Sequence, residues 1–278
     1  MVPNKQPAQP SDRKMWLSNM NSKPFQVGIG SSVGMQREKN EDALFAMSMN
    51  LVTNSASIPM GLFIVADGMG GHVSGEKASE LAAQAMIQQI LPELIPPFLG
   101  LVENREADEL KEIMAAGIRA AHLSIQANAP GGGSTLTGLL LFEDWMTIAH
   151  IGDSRAYLFD VDQDPRVLTT DHSLVKRLED LGQITADEAA IHPQRNVLYR
   201  ALGQVEPVEA ELISTRIPPS GQITICSDGL WGAVPDQEIW RIIHGASDPQ
   251  VACDLLLAAA NAAGGPDNIS VIIIKLTN

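Results

Sequence analysis

Three apolar runs in this 278-residue chain end on an aspartate: FIVAD at Asp67, AHIGD at Asp153 and TICSD at Asp228. Glycine follows the first and last of these acids, and serine follows Asp153. Asp267, in GGPDNISV, stands just ahead of an apolar strand, as do Glu41 and Asp42 in REKNEDALF. Taken singly, an Asp-Gly pair is a turn signal, because glycine supplies φ > 0 and aspartate bonds its own backbone two residues on. Taken jointly, five short segments place carboxylates at strand ends. Acids that converge at one rim repel each other and rise in pKa unless a cation sits among them. Hard divalent ions such as Mg²⁺ or Mn²⁺ take carboxylate, carbonyl and water oxygens. Gly68, with no side chain, can bring its carbonyl close to such an ion. The chain has no histidine- and cysteine-rich zinc spacing, which favours oxygen-only coordination. Two metals roughly 3.5–4 Å apart clamp the attacking and leaving oxygens of an in-line displacement at phosphorus. Arg37, four residues before Glu41, would add a planar, bidentate cation for phosphate oxygens.

The rest of the chain indicates how these acids are carried. Ala78, Leu81, Ala82, Ala85 and Met86 follow helical spacing over 76–90, and Leu110, Ile113, Met114, Gly117, Ile118, Ala121 and Ile125 repeat it. Pro92, Pro96 and Pro97 are expected to separate these two helices. SMNLVTNSASIPM (48–60) reads as a loop between strands. After Gly131-Gly132-Gly133 come STLTGLLLF, WMTIAHIG and SRAYLFD, then QITICS and ISVIIIKL, a series of antiparallel strands. The last is apolar nearly throughout, as a strand covered on both faces would be. Strands gathered between two long helices and a later one at about 249–263 predict an α+β layered domain over 25–278. Residues 1–24, rich in Pro, Asn, Gln, Ser and Lys, are expected to form a flexible arm.

Composition excludes several classes. A formal charge of −14 argues against a nucleic-acid partner, since any phosphate site must be built locally from arginines or metal. No apolar run reaches the ~18 residues of a membrane span, and the N-terminus lacks the apolar core of a secretory signal. The expectation is a soluble cytoplasmic protein with no membrane partner. Cys226 and Cys253 sit in apolar runs and read as reduced core thiols. Neither is followed closely by an arginine, and no G-x-S-x-G occurs, so thiol and serine nucleophile mechanisms find no support. GIGSSVG (28–34) lacks the helix and acidic residue of a dinucleotide loop.

The ordered set RxxNED (37–42), VADGMGGH (65–72), GSTLTG (133–138), HIGDSRAYL (150–158), LTTDHS (168–173), HPQRNVLYRALG (192–203), CSDGLW (226–231) and GGPDNISV (264–271) resembles the bacterial branch of the metal-dependent, type 2C serine/threonine protein phosphatases. Any one motif is weak; eight in order, spanning about 25–276, are specific. The resemblance implies a four-layer αββα sandwich with two central antiparallel sheets. It also implies hydrolysis of phosphoserine and phosphothreonine by a metal-bridged hydroxide, with no covalent intermediate. On this resemblance Asp67 bridges two Mn²⁺ or Mg²⁺ ions and Gly68 gives its carbonyl to one. Asp228 and Asp267 complete the first site, and Glu41 serves the second directly or through water. Asp153, with Asp228 contributing, matches a weaker third site. Asp42 matches a residue that orients metal-bound water, and Arg37 matches the phosphate clamp.

Animal members carry a histidine directly after the Asp-Gly pair as the proposed acid, whereas Met69 stands here and the histidine comes later, at His72. A thioether cannot donate a proton. His72 is thus a candidate for binding phosphate or shaping the loop, and a metal-bound water is an alternative acid. His122 and His150 read as structural. The segment 171–203 matches the flap beside the active site, and Arg195 and Arg200 within it are candidate substrate contacts. The implied partners are phosphorylated proteins, targets of serine/threonine kinases, with the enzyme a monomer. Two other roles remain: a catalytically silent phosphoprotein-binding module, or a phosphatase dedicated to one phosphoserine partner.

Overall fold

The computed structural model describes residues 25–52, 57–70, 74–100, 105–160, 164–204 and 207–276. The N-terminal arm, His72 and the centre of the 48–60 segment fall outside them. One sheet runs β1 (Gln26–Ser32), β11 (Ile269–Leu276), β10 (Gly221–Cys226), β7 (Arg155–Phe159), β8 (Arg166–Val167). The other runs β2 (Asp42–Val52), β3 (Ser57–Met69), β5 (Leu136–Phe142), β6 (Trp145–Ile151), β9 (Glu211–Arg216), with β4 (Gly133–Ser134) paired to the end of β3. Every pairing is antiparallel.

Strand alternation assigns the layers. In β3, Phe63 and Val65 point into a core shared with Ile223, Ile225, Ile272 and Ile274 of the other sheet. Their neighbours Leu62, Ile64 and Ala66 face the opposite way, onto α1 (Ser74–Phe98) and α2 (Ala107–Asn128). In β11, Val271 and Ile273 face α6 (Asp236–Gly245) and α7 (Pro249–Ala262) instead. Helix, sheet, sheet and helix thus stack in four layers around three apolar cores, and both faces of β11 are covered. All seven apolar-face residues of α2 named from the sequence are buried. Three shorter helices complete the order: α3 (Leu174–Asp180), α4 (Ala186–Ala190) and α5 (Asp228–Trp231).

Two local expectations are corrected. The prolines do not end the first helix, because α1 continues through Pro92, Pro96 and Pro97 to Phe98. Pro92 leaves the carbonyl of Gln88 without its helical donor, but both residues lie on the exposed side, where water can serve it. Ile90, Leu94 and Phe98 on the other side are buried in the core against the sheet, and that packing outweighs the lost bonds. Residues 48–60 are not mainly loop either. β2 and β3 form a long hairpin paired from Asp42↔Asp67 to Val52↔Ser57, so β-pairing with a neighbouring strand overrides the local polarity.

Candidate active site

The β2–β3 register sets Asp42 directly opposite Asp67. Like charges facing each other across a ladder destabilise it, so this pairing needs compensation. β3 continues past Asp67, and Gly68 and Met69 pair with Ser134 and Gly133. Asp67 is clamped by Thr135: its N–H donates to the Thr135 hydroxyl at 3.0 Å, and its carbonyl accepts from the Thr135 N–H at 2.8 Å. At Gly68 a Cβ would collide with the Gly75 carbonyl, and at Gly75 it would collide with the Glu41 carboxylate. The two glycines therefore make room for Glu41 between β3 and the first turn of α1.

Asn268 fastens the loop before β2 onto the end of β11. Its side-chain amide donates to the carbonyls of Val33 and Lys39 at 2.9 and 2.8 Å, and its Oδ1 accepts from the Glu41 N–H at 2.8 Å. Arg37 thereby stands at the mouth, with Nη2 2.6 Å from Asp267 Oδ2. Asp228 opens α5, just after β10, and Asp153 follows β6. Glu41, Asp67, Asp153, Asp228 and Asp267 line one cleft of about 260 Å³ and face Arg37, the one cation among its described lining residues.

Electrostatics here are dominated by burial. Burial raises the Asp67 carboxyl well above the usual carboxylate range, and the charges of Asp42, Asp228, Asp153 and Asp267 add to it. Asp42 is lifted to about 7, chiefly by burial, although its Oδ2 accepts from the Ser227 hydroxyl at 2.9 Å. Burial and then Asp267 lift Asp228 to about 6. Asp153 rises through burial, then Asp228 and Asp171. Asp42 Oδ1 and Asp228 Oδ1 are buried with no hydrogen-bond partner. An orphaned Asp228 oxygen in an acid-rich cleft, with a second on Asp42 behind it, belongs to the donor type that hard divalent ions use, so these residues fit such ions.

The pH dependence follows with a definite sign. These folded-state values lie above the ordinary 3.8, so between about pH 4 and 7 the folded protein keeps protons that the unfolded chain has released. Without metal, this contribution should make the protein less stable as pH rises through that window. Divalent ions bind the ionised form, so Mn²⁺ should raise the melting temperature more at about pH 7.5 than at about pH 5. Thermal melts in chelator and in Mn²⁺ test this, and equal shifts at both pH values would count against it.

A sequence model of the family described as protein phosphatase 2C matches residues 29–247. The chain belongs to the protein phosphatase 2C family. It is 34% identical over 214 residues to the serine/threonine phosphatase stp of Listeria innocua serovar 6a, covering 77% of this chain and 84% of that one. Among solved structures, the serine/threonine phosphatase of S. agalactiae superposes with a TM-score of 0.76 at 28% identity, covering 91% of this chain and 100% of that one. The catalytic domain of the serine/threonine phosphatase PstP, solved in complex with two manganese ions, gives a TM-score of 0.71 at 28% identity, covering 92% and 99%. The two-sheet α+β architecture of this family member is that of its structural neighbours.

Of the residues singled out from the sequence, Arg37, Glu41, Asp67, Gly68, Asp153, Asp228 and Asp267 line the cleft, and Asp42 lies behind Asp67. Arg195 sits on an exposed turn and is not among the lining residues, whereas its neighbours Asn196 and Leu198 are. Thr135, Ser227 and Asn268 were missed as supports, although each lies inside a quoted motif. A second group, His150, His172 and Glu211, brings ligand-type atoms within 4.8 Å of one another. Its members are already engaged: His150 with Thr137 and Thr170, His172 Nδ1 with the Gly152 N–H, and Glu211 with Thr170. Burial lowers His150 to about 3 and His172 to about 4, so both rings are neutral at pH 7 and pack as a stacked pair.

Proposed function

We propose that this protein is a metal-dependent serine/threonine protein phosphatase that releases phosphate by direct in-line attack of water, with no phosphoenzyme intermediate. The observation that carries this reading is the ring of half-buried to buried carboxylates, Asp228 with an orphaned oxygen, that faces Arg37, the one guanidinium among the described residues of an open cleft. Family membership and relatives named as serine/threonine phosphatases support it. Asp67, the Gly68 carbonyl, Asp228, Asp267 and Glu41 would hold two Mn²⁺ or Mg²⁺ ions, with Asp153 and Asp228 at a weaker third site. When bound, these ions supply Lewis-acid charge at the phosphoryl oxygens and acidify the attacking water.

The chain's own groups perform the rest. The Arg37 side chain is half exposed at the cleft mouth, free to swing its planar fork onto two phosphoryl oxygens while Asp267 turns inward. Asp42, held by Ser227 opposite Asp67, would act from behind that residue by orienting water held at the metal site. Among the described residues, no thiol or hydroxyl is placed to attack phosphorus. Both cysteines are buried and burial pushes their thiols up, and the Thr135 hydroxyl is engaged with Asp67 and Ser154. Met69 lines the cleft without a proton to give, so the leaving alkoxide takes its proton from water. His72 is kept as a candidate phosphate contact and Arg195 as a substrate contact on the flap of 171–203. Substrates are phosphorylated proteins, acted on by a monomeric cytoplasmic enzyme whose phosphatase domain spans 25–278. No helix among the described residues is long and apolar enough to cross a membrane.

The test is phosphate release from a phosphothreonine peptide with Mn²⁺, with Mg²⁺ and with excess chelator. Release should require metal and fall at least about 100-fold in Asp228→Ala. Absence of release with either metal, from folded protein, would favour a silent phosphoprotein-binding module instead.

A further inference from the structure

A second groove, about 570 Å³, opens beside the catalytic cleft and shares Met69, Gly70 and Leu198 with it as a common wall. Nothing in the chemistry above uses it. Its far side carries Arg177 from α3 and Tyr199 and Arg200 from the strand-like return of the flap segment. Both guanidiniums stand 5.6 Å from the Tyr199 ring centroid, within cation–π range. The wall is held in place by the backbone. The Tyr199 N–H donates to the His172 carbonyl at 2.9 Å, and the Leu174 N–H donates to the Val197 carbonyl at 2.8 Å. The Tyr199 ring also rests edge-on against His172.

Charge gives the groove its selectivity. Of its described lining residues only Glu209 is acidic, and it pairs with Arg200 at 2.7 Å. Arg177 has no carboxylate within ion-pair distance among the described residues and is exposed. A cationic wall on a chain of net charge −14 is a local exception, and it adjoins the place where a phosphorylated side chain would enter. An extended peptide advances about 3.3 Å per residue, so a residue roughly two to four positions from the phosphoresidue reaches a neighbouring groove.

We propose that this groove is a specificity subsite for an acidic residue flanking the phosphorylated serine or threonine, with Arg177 and Arg200 gripping its carboxylate and Tyr199 packing against the peptide. The proposal deepens the phosphatase reading above and rests on it for the identity of the substrate. Arg177 contributes most, since Arg200 must share its charge with Glu209.

The experiment compares phosphothreonine peptides that carry glutamate, alanine or lysine at successive flanking positions. At one or two positions, kcat/KM for glutamate should exceed that for alanine by about five- to tenfold, through KM. Arg177→Gln should bring the ratio close to one, and Arg177→Glu should turn the preference toward lysine, which general damage to the fold would not do. Binding of the same peptides, fluorescently labelled, to the Asp67→Asn protein reads the groove without turnover. If the native protein hydrolyses no peptide, the phosphatase reading fails while the binding ratios still decide the groove. Equal ratios for glutamate and alanine at every position, or a preference unmoved in both Arg177 variants, overturns the subsite and leaves the phosphatase reading standing.

Discussion

Asp67→Asn should abolish phosphate release, by about 10³-fold or more, and should melt at a higher temperature than the native protein when both are stripped of metal. The two halves of this result have one cause. Asp67 lies among Asp42, Asp153, Asp228 and Asp267, and desolvation together with their charges holds its carboxyl well above the usual carboxylate range. Without metal its charge is a liability, and an asparagine keeps the volume, carries no charge and offers amide donors to the surrounding carboxylates. The backbone bonds to Thr135 are untouched by the substitution. A gain of about 2–4 °C per kcal/mol is expected for a domain of this size, with the stabilisation by Mn²⁺ sharply reduced. Turnover within tenfold of native would sink the assignment of Asp67. A lower melting temperature in chelator would mean that the carboxyl supports the fold rather than straining it.

Arg155→Ala should cost about 3–5 kcal/mol of stability, enough to lower the melting temperature by roughly 6–20 °C. Arg155 Nε and Nη2 donate to Asp171 at 3.0 and 2.7 Å, and Nη1 donates to the Tyr157 hydroxyl at 3.3 Å. Its guanidinium lies 3.7 Å from the Trp231 ring centroid, and the Trp231 indole N–H donates to the Asp153 carbonyl at 3.0 Å. Burial opposes the charge on Arg155, and its partners more than offset that, holding it above its ordinary pKa. Truncation would leave Asp171, itself 6% exposed, as an uncompensated charge and free the ring that fixes the Asp153 backbone. Denaturant melts of Arg155→Ala, Asp171→Ala and the double variant measure this. The double variant should recover a large part of the loss, because neither charge is then stranded. A loss below about 1 kcal/mol in the single variant would show that water reaches Asp171 and replaces the pair.

The acids at strand ends were legible because each is a local event, an apolar run followed by a carboxylate and a small residue. The apolar faces of α2 and β11 were equally legible, since burial on one face or both leaves a periodic trace in the residues themselves. Arg155 was not. It reads as an ordinary arginine at the start of a strand, and its importance lies in Asp171 and Trp231, 16 and 76 residues away in the chain. Thr135 and Asn268 were hidden for the same reason: each serves the site by a hydrogen bond to a segment remote in sequence.

By itself, the sequence determined the class of fold and the acids available to a metal centre. These depend on residue type and short-range order, which the chain carries wherever it lies. Tertiary structure alone decided that α1 runs through three prolines, that β2 and β3 pair across a stretch that reads as loop, and that Asp42 faces Asp67. It also decided that a cationic groove opens beside an acidic cleft. Each of these outcomes is a balance between a local preference and the burial or pairing offered by a distant segment, and the distant segment enters that balance only once the chain has folded.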